Sequence, residues 1–124
     1  MLDDYLKLHH GLQAIRRLIG EDRLTCGQAV ILRVLSEQGP MKLTQLVDAT
    51  AIDRSTMSEV VRRLHMAGLL RRRRSKADRR ALQVAVSEGG LTALEEFELA
   101  AIRAKPAICG EFKRIGITLG ANSA

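Results

Sequence analysis

Tyr5, Leu8, Leu12, Ile15 and Ile19 recur at three- and four-residue intervals, with Leu2 and Leu6 widening the apolar arc. This pattern predicts a first helix from about residue 3 to Ile19, ended by Gly20. Thr25 is a good N-cap for a second helix, which carries Val30, Ile31, Val34 and Leu35 inward and closes at the turn residues Gly39-Pro40. A short third helix follows, with Leu43, Leu46 and Val47 inward, and runs to the small-residue turn Ala49-Thr50-Ala51.

Asp53 stands as N-cap before a fourth helix in which Met57, Val60, Val61 and Leu64 follow an i, i+3, i+4, i+7 stripe. The stripe is core, so Arg54, Ser55, Ser58, Glu59, Arg62 and Arg63 occupy the other faces, and Gly68 is placed to end the helix in a left-handed cap. Residues 69–74 and 81–86 then read as two strands joined by residues 75–80, with Leu82, Val84 and Val86 alternating toward one face. Ser87-Glu88 starts a last helix that tolerates Gly89 and Gly90 in its first turn and ends near Lys105, before Pro106. Its second half, with Phe97, Leu99, Ala100, Ala101, Ile102 and Ala104, is apolar nearly all round and calls for a second copy of the chain as partner. Beyond Pro106, Phe112, Ile115 and Leu119 suggest a further short helix, weakened by Gly110, Gly116 and Gly120. Met57 and Met66 read as core filler.

The resulting fold class is mainly α with a small β-hairpin, in a chain of 124 residues that has room for one domain. Charge sharpens this picture because it is unevenly placed. The chain carries 20 Lys and Arg against 14 Asp and Glu, a net +6. Residues 54–80 alone hold ten basic residues against Glu59 and Asp78, a net +8, while the flanking segments are each −1. A charge excess confined to one segment marks a binding face for a polyanion rather than a generally basic surface. The three aromatic residues, Tyr5, Phe97 and Phe112, all lie outside that segment, which leaves it without platforms for stacking single-stranded bases. Duplex DNA is the polyanion that fits.

Other classes are excluded on the same residues. No apolar run approaches the roughly 18 residues of a membrane span, and Asp3 and Asp4 stand where a signal peptide carries basic residues, so a cytoplasmic location is expected. Cys26 and Cys109 are too few for a disulfide framework, adjacent His9 and His10 point to different helix faces, and no metal or other cofactor is called for. Neither a phosphate-binding loop nor a nucleophile with its base appears, so no catalytic residue is assigned.

A short helix, a tight turn and a second helix with a polar N-terminus make a helix-turn-helix, and the basic hairpin behind it makes a wing. The joint spacing of Asp53-Arg54-Ser55-Thr56-Met57-Ser58, the run from Leu64 to Leu70, Asp78-Arg79-Arg80 and Val86-Ser87-Glu88-Gly89-Gly90 resembles the MarR family of winged-helix transcriptional regulators, over about residues 24–94. The resemblance implies a single winged-helix domain over residues 1–124, with dimerisation helices at 3–20 and 88–120 and a DNA-binding lobe at 25–86 whose wing is 70–86. It further implies a homodimer on a pseudo-palindromic operator, acting as a repressor relieved by a small molecule or an oxidant. Family members commonly close the dimer with a longer final helix, and the glycine-dotted tail here points to a smaller or rearranged interface.

Physical roles can be set beside that resemblance. On a groove-bound helix Arg54, Ser55, Thr56, Ser58, Arg62 and Arg63 face base edges and phosphates, arginine forking onto guanine and hydroxyls serving either. In the wing, Arg72 and Arg74 share one strand face and Arg71 and Arg73 the other, with Lys76 at the tip. The resemblance makes Asp78 an ion-pair partner that orients the loop, and Arg80, or else Arg79, the side chain entering the minor groove, where narrow grooves attract arginine. A small aromatic or amphipathic effector would be lined by Tyr5, Leu8, Leu12, Cys26 and Val30. Cys26, at a helix start where the dipole favours a thiolate, also admits redox sensing, although the oxidant-sensing members usually carry their cysteine in the first helix and this chain has none there. The competing reading is a basic architectural protein that binds DNA without sequence preference, because phosphate contacts supply most non-specific affinity.

Overall fold

Over the described residues, 1–21, 24–78 and 82–119, the computed structural model places α1 (Leu2–Ile19), α2 (Cys26–Gln38), β1 (Met41–Lys42), α3 (Leu43–Thr50), α4 (Arg54–Met66), β2 (Leu70–Arg74), β3 (Leu82–Val86) and α5 (Glu88–Arg114). They divide into two compact units, Met1–Asp22 with Phe97–Ala124, and Arg23–Glu96. The architecture is a winged helix of helices and a small antiparallel sheet, as expected.

In the unit formed by Arg23–Glu96, each helix start is satisfied locally. The Thr25 hydroxyl accepts from Gln28 N at 3.1 Å and the Gln28 side chain accepts from Thr25 N at 3.0 Å, so two otherwise unpaired N–H groups at the head of α2 are used. Ile31, Leu32, Leu35, Leu46, Met57, Val61 and Leu64 are buried where α2, α3 and α4 meet, each contributing about 1.5–3 kcal/mol of transfer free energy. The inward face of α2 is rotated from expectation: Ala29 and Leu32 are buried, whereas Val30 is 47% exposed. Met66 is likewise not core but 76% exposed, because it is the last residue of α4 and lies outside the Met57–Val61–Leu64 stripe.

The hairpin expected from sequence carries a third strand. The sheet order is β1-β3-β2, all antiparallel, with Met41 opposite Val84 and Lys42 opposite Gln83. Across the wing Leu70 faces Val86, Arg72 faces Val84 and Arg74 faces Leu82. Opposed residues share a sheet face, so Arg72 and Arg74 continue the face that begins at buried Leu70, and Arg71 and Arg73 lie on the other. Of the alternating residues on β3, Val84 is buried while Leu82, near the wing tip, is exposed.

The unit formed by α1 and the second half of α5 packs differently from what the periodicity suggests. The buried residues of α1 are Gly11 and Ala14, while Tyr5, Leu8 and Leu12 are exposed. Phe112 is buried with its ring over Gly11, where an added Cβ would sit 2.8 Å from Cζ. The last helix does not stop at Lys105 but passes through Pro106 to Arg114. Proline in a helix interior costs about 3 kcal/mol, and burial of Ile108 and Phe112 beyond it offsets that cost. Pro106 itself is exposed, as is Ile102, whose carbonyl loses its usual donor. The helix ends where Gly116 adopts φ 86°, with Ile117 N donating to Phe112 O at 2.8 Å and Gly116 N to Lys113 O at 3.1 Å, a glycine-capped stop.

Candidate nucleic-acid interface

The turn that aims α4 is three residues long, from Ala51 to Asp53. Ala51 is left-handed at φ 57° and donates to Val47 O at 2.9 Å, while the Thr50 hydroxyl donates to Leu46 O at 2.7 Å and accepts from Ile52 N at 3.3 Å. Asp53 then caps α4 as the sequence predicts. Its carboxylate accepts from Thr56 N at 2.9 Å, from the Thr56 hydroxyl at 2.7 Å and from the Ser55 hydroxyl at 2.9 Å. The Thr56 backbone N–H, then the two hydroxyls, hold the Asp53 carboxyl at about 2, below its usual 3.8.

Met57, Val61 and Leu64 bury one side of α4, leaving Arg54, Ser55, Thr56, Ser58, Arg62 and Arg63 exposed on the remainder. At roughly 100° per residue, Ser55, Glu59, Arg62 and the last residue, Met66, lie most nearly opposite the buried stripe. Glu59 therefore occupies the middle of the outward face, a position that assigning only hydroxyls and arginines overlooks. Its Oε1 accepts from Arg62 Nη2 at 2.7 Å and Arg63 Nε at 2.9 Å, and its Oε2 accepts from Arg62 Nε at 3.1 Å. Glu followed by Arg at i+3 and i+4 was the available signal. These bonds, Arg62 foremost and Arg63 second, hold the Glu59 carboxyl at about 2 against a usual 4.5, and the same pairing raises the Arg62 pKa.

The far end of α4 is fixed to the start of α5. Gly68, at φ 78°, donates to His65 O at 3.0 Å and Leu69 N donates to Leu64 O at 2.9 Å, the left-handed stop that the sequence predicts. Ser87 N donates to Leu69 O at 3.1 Å, and Gly90 N donates to the Ser87 hydroxyl at 3.0 Å. Gly90 is not merely tolerated here. A Cβ on it would lie 2.2 Å from Leu69 O and 2.8 Å from Val86 Cγ2.

In the wing, Arg71, Arg72, Arg73 and Arg74 are all exposed, and so are Lys76 and Asp78 beyond them. Ala77 N donates to the Ser75 hydroxyl at 3.2 Å within the tip. Arg79 and Arg80, expected to reach the minor groove, lie outside the described residues. Tyr5, Leu8 and Leu12 lie exposed on α1, Val30 is exposed on α2, and Cys26 is the half-buried first residue of α2. Among the described residues no group of three or more His, Cys, Asp or Glu side chains is placed to hold a metal ion, and no helix is long and apolar enough to cross a membrane.

The geometry of α3, α4 and the wing has close counterparts. A sequence profile of the MarR family matches residues 24–82. The HTH-type transcriptional regulator YpoP of Bacillus subtilis, itself uncharacterized, is 33% identical over 100 residues, covering 78% of this chain and 71% of its own. The HTH-type transcriptional repressor NicR of Pseudomonas putida is 33% identical over 75 residues, 60% of this chain but only 48% of its own length. Among solved structures, Bordetella bronchiseptica BpsR, whose DNA binding is regulated by 6-hydroxynicotinic acid, superimposes with a TM-score of 0.78 at 30% identity, over 86% of this chain and 76% of its own.

Proposed function

The chain belongs to the MarR family of DNA-binding transcriptional regulators, and on that premise we propose that it is a homodimeric, sequence-specific repressor acting on a pseudo-palindromic operator in the cytoplasm. The observation that carries this reading is the placement of charge: the +8 of residues 54–80 belongs to α4 and the wing, and its described side chains are exposed. α4 enters the major groove with Arg54, Ser55, Thr56, Ser58, Arg62 and Arg63 toward base edges and phosphates. The wing lies along the backbone with Arg72, Arg74 and Lys76, and Asp78, Arg79 and Arg80 serve its tip at the minor groove.

Homodimerisation is supported by the apolar face that α1 leaves uncovered, from Leu2 through Tyr5, Leu6 and Leu8 to Leu12, and by exposed Leu99 and Ile102 on α5. Contiguous exposed apolar surface of this kind marks an interaction site, and a two-fold pairing sets two recognition helices about 34 Å apart. Repression follows the name of NicR, and control by a small organic effector follows that of BpsR, with Tyr5, Leu12 and Cys26 as the residues to examine for ligand or redox response.

The test is enrichment of a randomised duplex pool followed by titration. Sequence-specific recognition gives roughly 10³-fold or greater preference for the enriched palindrome over random duplex at one salt concentration, whereas an architectural DNA binder gives near equality.

A further inference from the structure

Arg62 and Arg63 are the two cations on the outward face of α4 beyond its first turn, and neither stands alone. A single carboxylate, Glu59, takes three N–H bonds from them, two from one edge of Arg62 and one from Arg63 Nε. A guanidinium has five N–H groups, so Arg62 keeps its end-on fork, Nη1 with the outer hydrogen of Nη2, for another acceptor. That fork matches the O6 and N7 acceptors of guanine. A carboxylate at the centre of the same face repels phosphate oxygens, and it lowers the charge of the three-residue group from two to one.

We propose that Glu59 is a specificity-determining residue of the DNA-binding face: it grips the Nε edge of Arg62 so that the opposite fork is presented to a guanine, and it withholds Arg62 and Arg63 from indiscriminate phosphate binding. Glu59 is a positioning residue here, acting on bases through Arg62. The inference rests on the reading of α4 as the helix that enters the major groove. It differs from that reading in assigning the discrimination to an acidic residue within a basic segment. Each partner makes a different contribution. Arg62 supplies the donors, Glu59 their direction, and the negative charge of Glu59 a penalty against backbone-only complexes.

The experiment compares wild type with Glu59→Gln, Glu59→Asp and Arg62→Lys, all in the full chain and with helicity checked by circular dichroism. Each is titrated against the duplex that wild type enriches from a random pool, the same duplex with its G·C positions changed singly, and a random duplex of equal length, at several salt concentrations. Removing the charge in E59Q should tighten binding to random duplex several-fold and steepen its log–log salt slope by roughly one. Preference for the enriched duplex should fall by ~10-fold or more, concentrated at one G·C position. E59D keeps the charge but shortens the arm, so it should lose that discrimination while binding random duplex as wild type does. R62K should do the same, lacking the fork. Unchanged discrimination in E59Q and E59D, or a proportional loss on all duplexes, overturns the proposal. Absence of any preference in wild type overturns instead the reading on which it rests.

Discussion

The Ser87 hydroxyl donates to the Gly68 carbonyl at 2.7 Å, so the first residue before α5 is tied to the residue that stops α4. Because the same oxygen accepts from Gly90 N and lies largely buried, it serves as helix cap and as tertiary tie at once. Replacing Ser87 by Ala leaves the Gly68 carbonyl and the Gly90 N–H without partners. The expected loss is about 1–3 kcal/mol in urea unfolding, with a lower midpoint at an unchanged slope. An unchanged midpoint would mean that water replaces both bonds at no cost.

Gly89 and Gly90 are adjacent and should respond oppositely to alanine. A Cβ at Gly89 meets Gly68 O at 3.4 Å, ordinary contact, whereas at Gly90 it meets Leu69 O at 2.2 Å. Gly89→Ala should leave stability unchanged or raise it by up to ~1 kcal/mol, from helix propensity. Gly90→Ala should cost about 1–3 kcal/mol or more, because backbone must move. Thermal unfolding of the two variants decides it, and equal midpoints would contradict the close approach.

Asp53 and Glu59 have carboxyls depressed to about 2 from usual values of 3.8 and 4.5. A depressed pKa means that the folded state favours the charged form, so the stabilisation is present above the unfolded value and is lost as pH falls toward 2. Between pH 7 and 5 neither group should change protonation. Carboxyl carbon shifts followed by NMR should titrate near 2 for both residues. Midpoints near 3.8 and 4.5 would show that the hydroxyl and arginine bonds do not hold in solution.

Arg72 and Arg74 share a wing face, as the register with Val84 and Leu82 requires. Joint replacement by Ala should weaken binding to enriched and random duplex alike and reduce the salt slope by up to roughly two. A selective loss at one base pair would instead make them base readers.

Leu8 and Leu12 are exposed, whereas the residues of α1 packed within its own unit are Gly11 and Ala14. Replacing either leucine by Glu should therefore preserve helicity while lowering the mass seen in sedimentation from dimer to monomer. Persistence of a dimer in both variants would move the interface elsewhere.

How far the fold was legible depended on whether independent signals agreed. At α4 the Asp53 cap, the Met57–Val61–Leu64 stripe and the Gly68 stop all pointed to one helix, and its bounds came out as read. At Pro106 one strong signal, proline as terminator, competes with the periodicity that continues through Ile108 and Phe112, and the helix follows the periodicity to Arg114. β1 has two residues, too few for any alternation, and exists only by pairing Met41 with Val84 and Lys42 with Gln83 of β3. On α1 the periodicity located an apolar arc, but hydrophobic spacing does not say whether a chain covers that arc itself. Glu59 is visible in the sequence, but its three bonds from Arg62 and Arg63 are a matter of side-chain geometry that residue type alone does not give.

The cap of α4 also sets the polarity of two exposed hydroxyls. A serine or threonine hydroxyl can ordinarily give or receive, which makes it an indifferent reader of bases. The protons of Ser55 and Thr56 are committed to Asp53, so what these oxygens turn outward is lone pairs. On the proposed reading of α4 as the major-groove helix, these two hydroxyls face base edges rather than phosphates, and a base that meets them brings its own hydrogen, as the exocyclic amino groups of adenine and cytosine do.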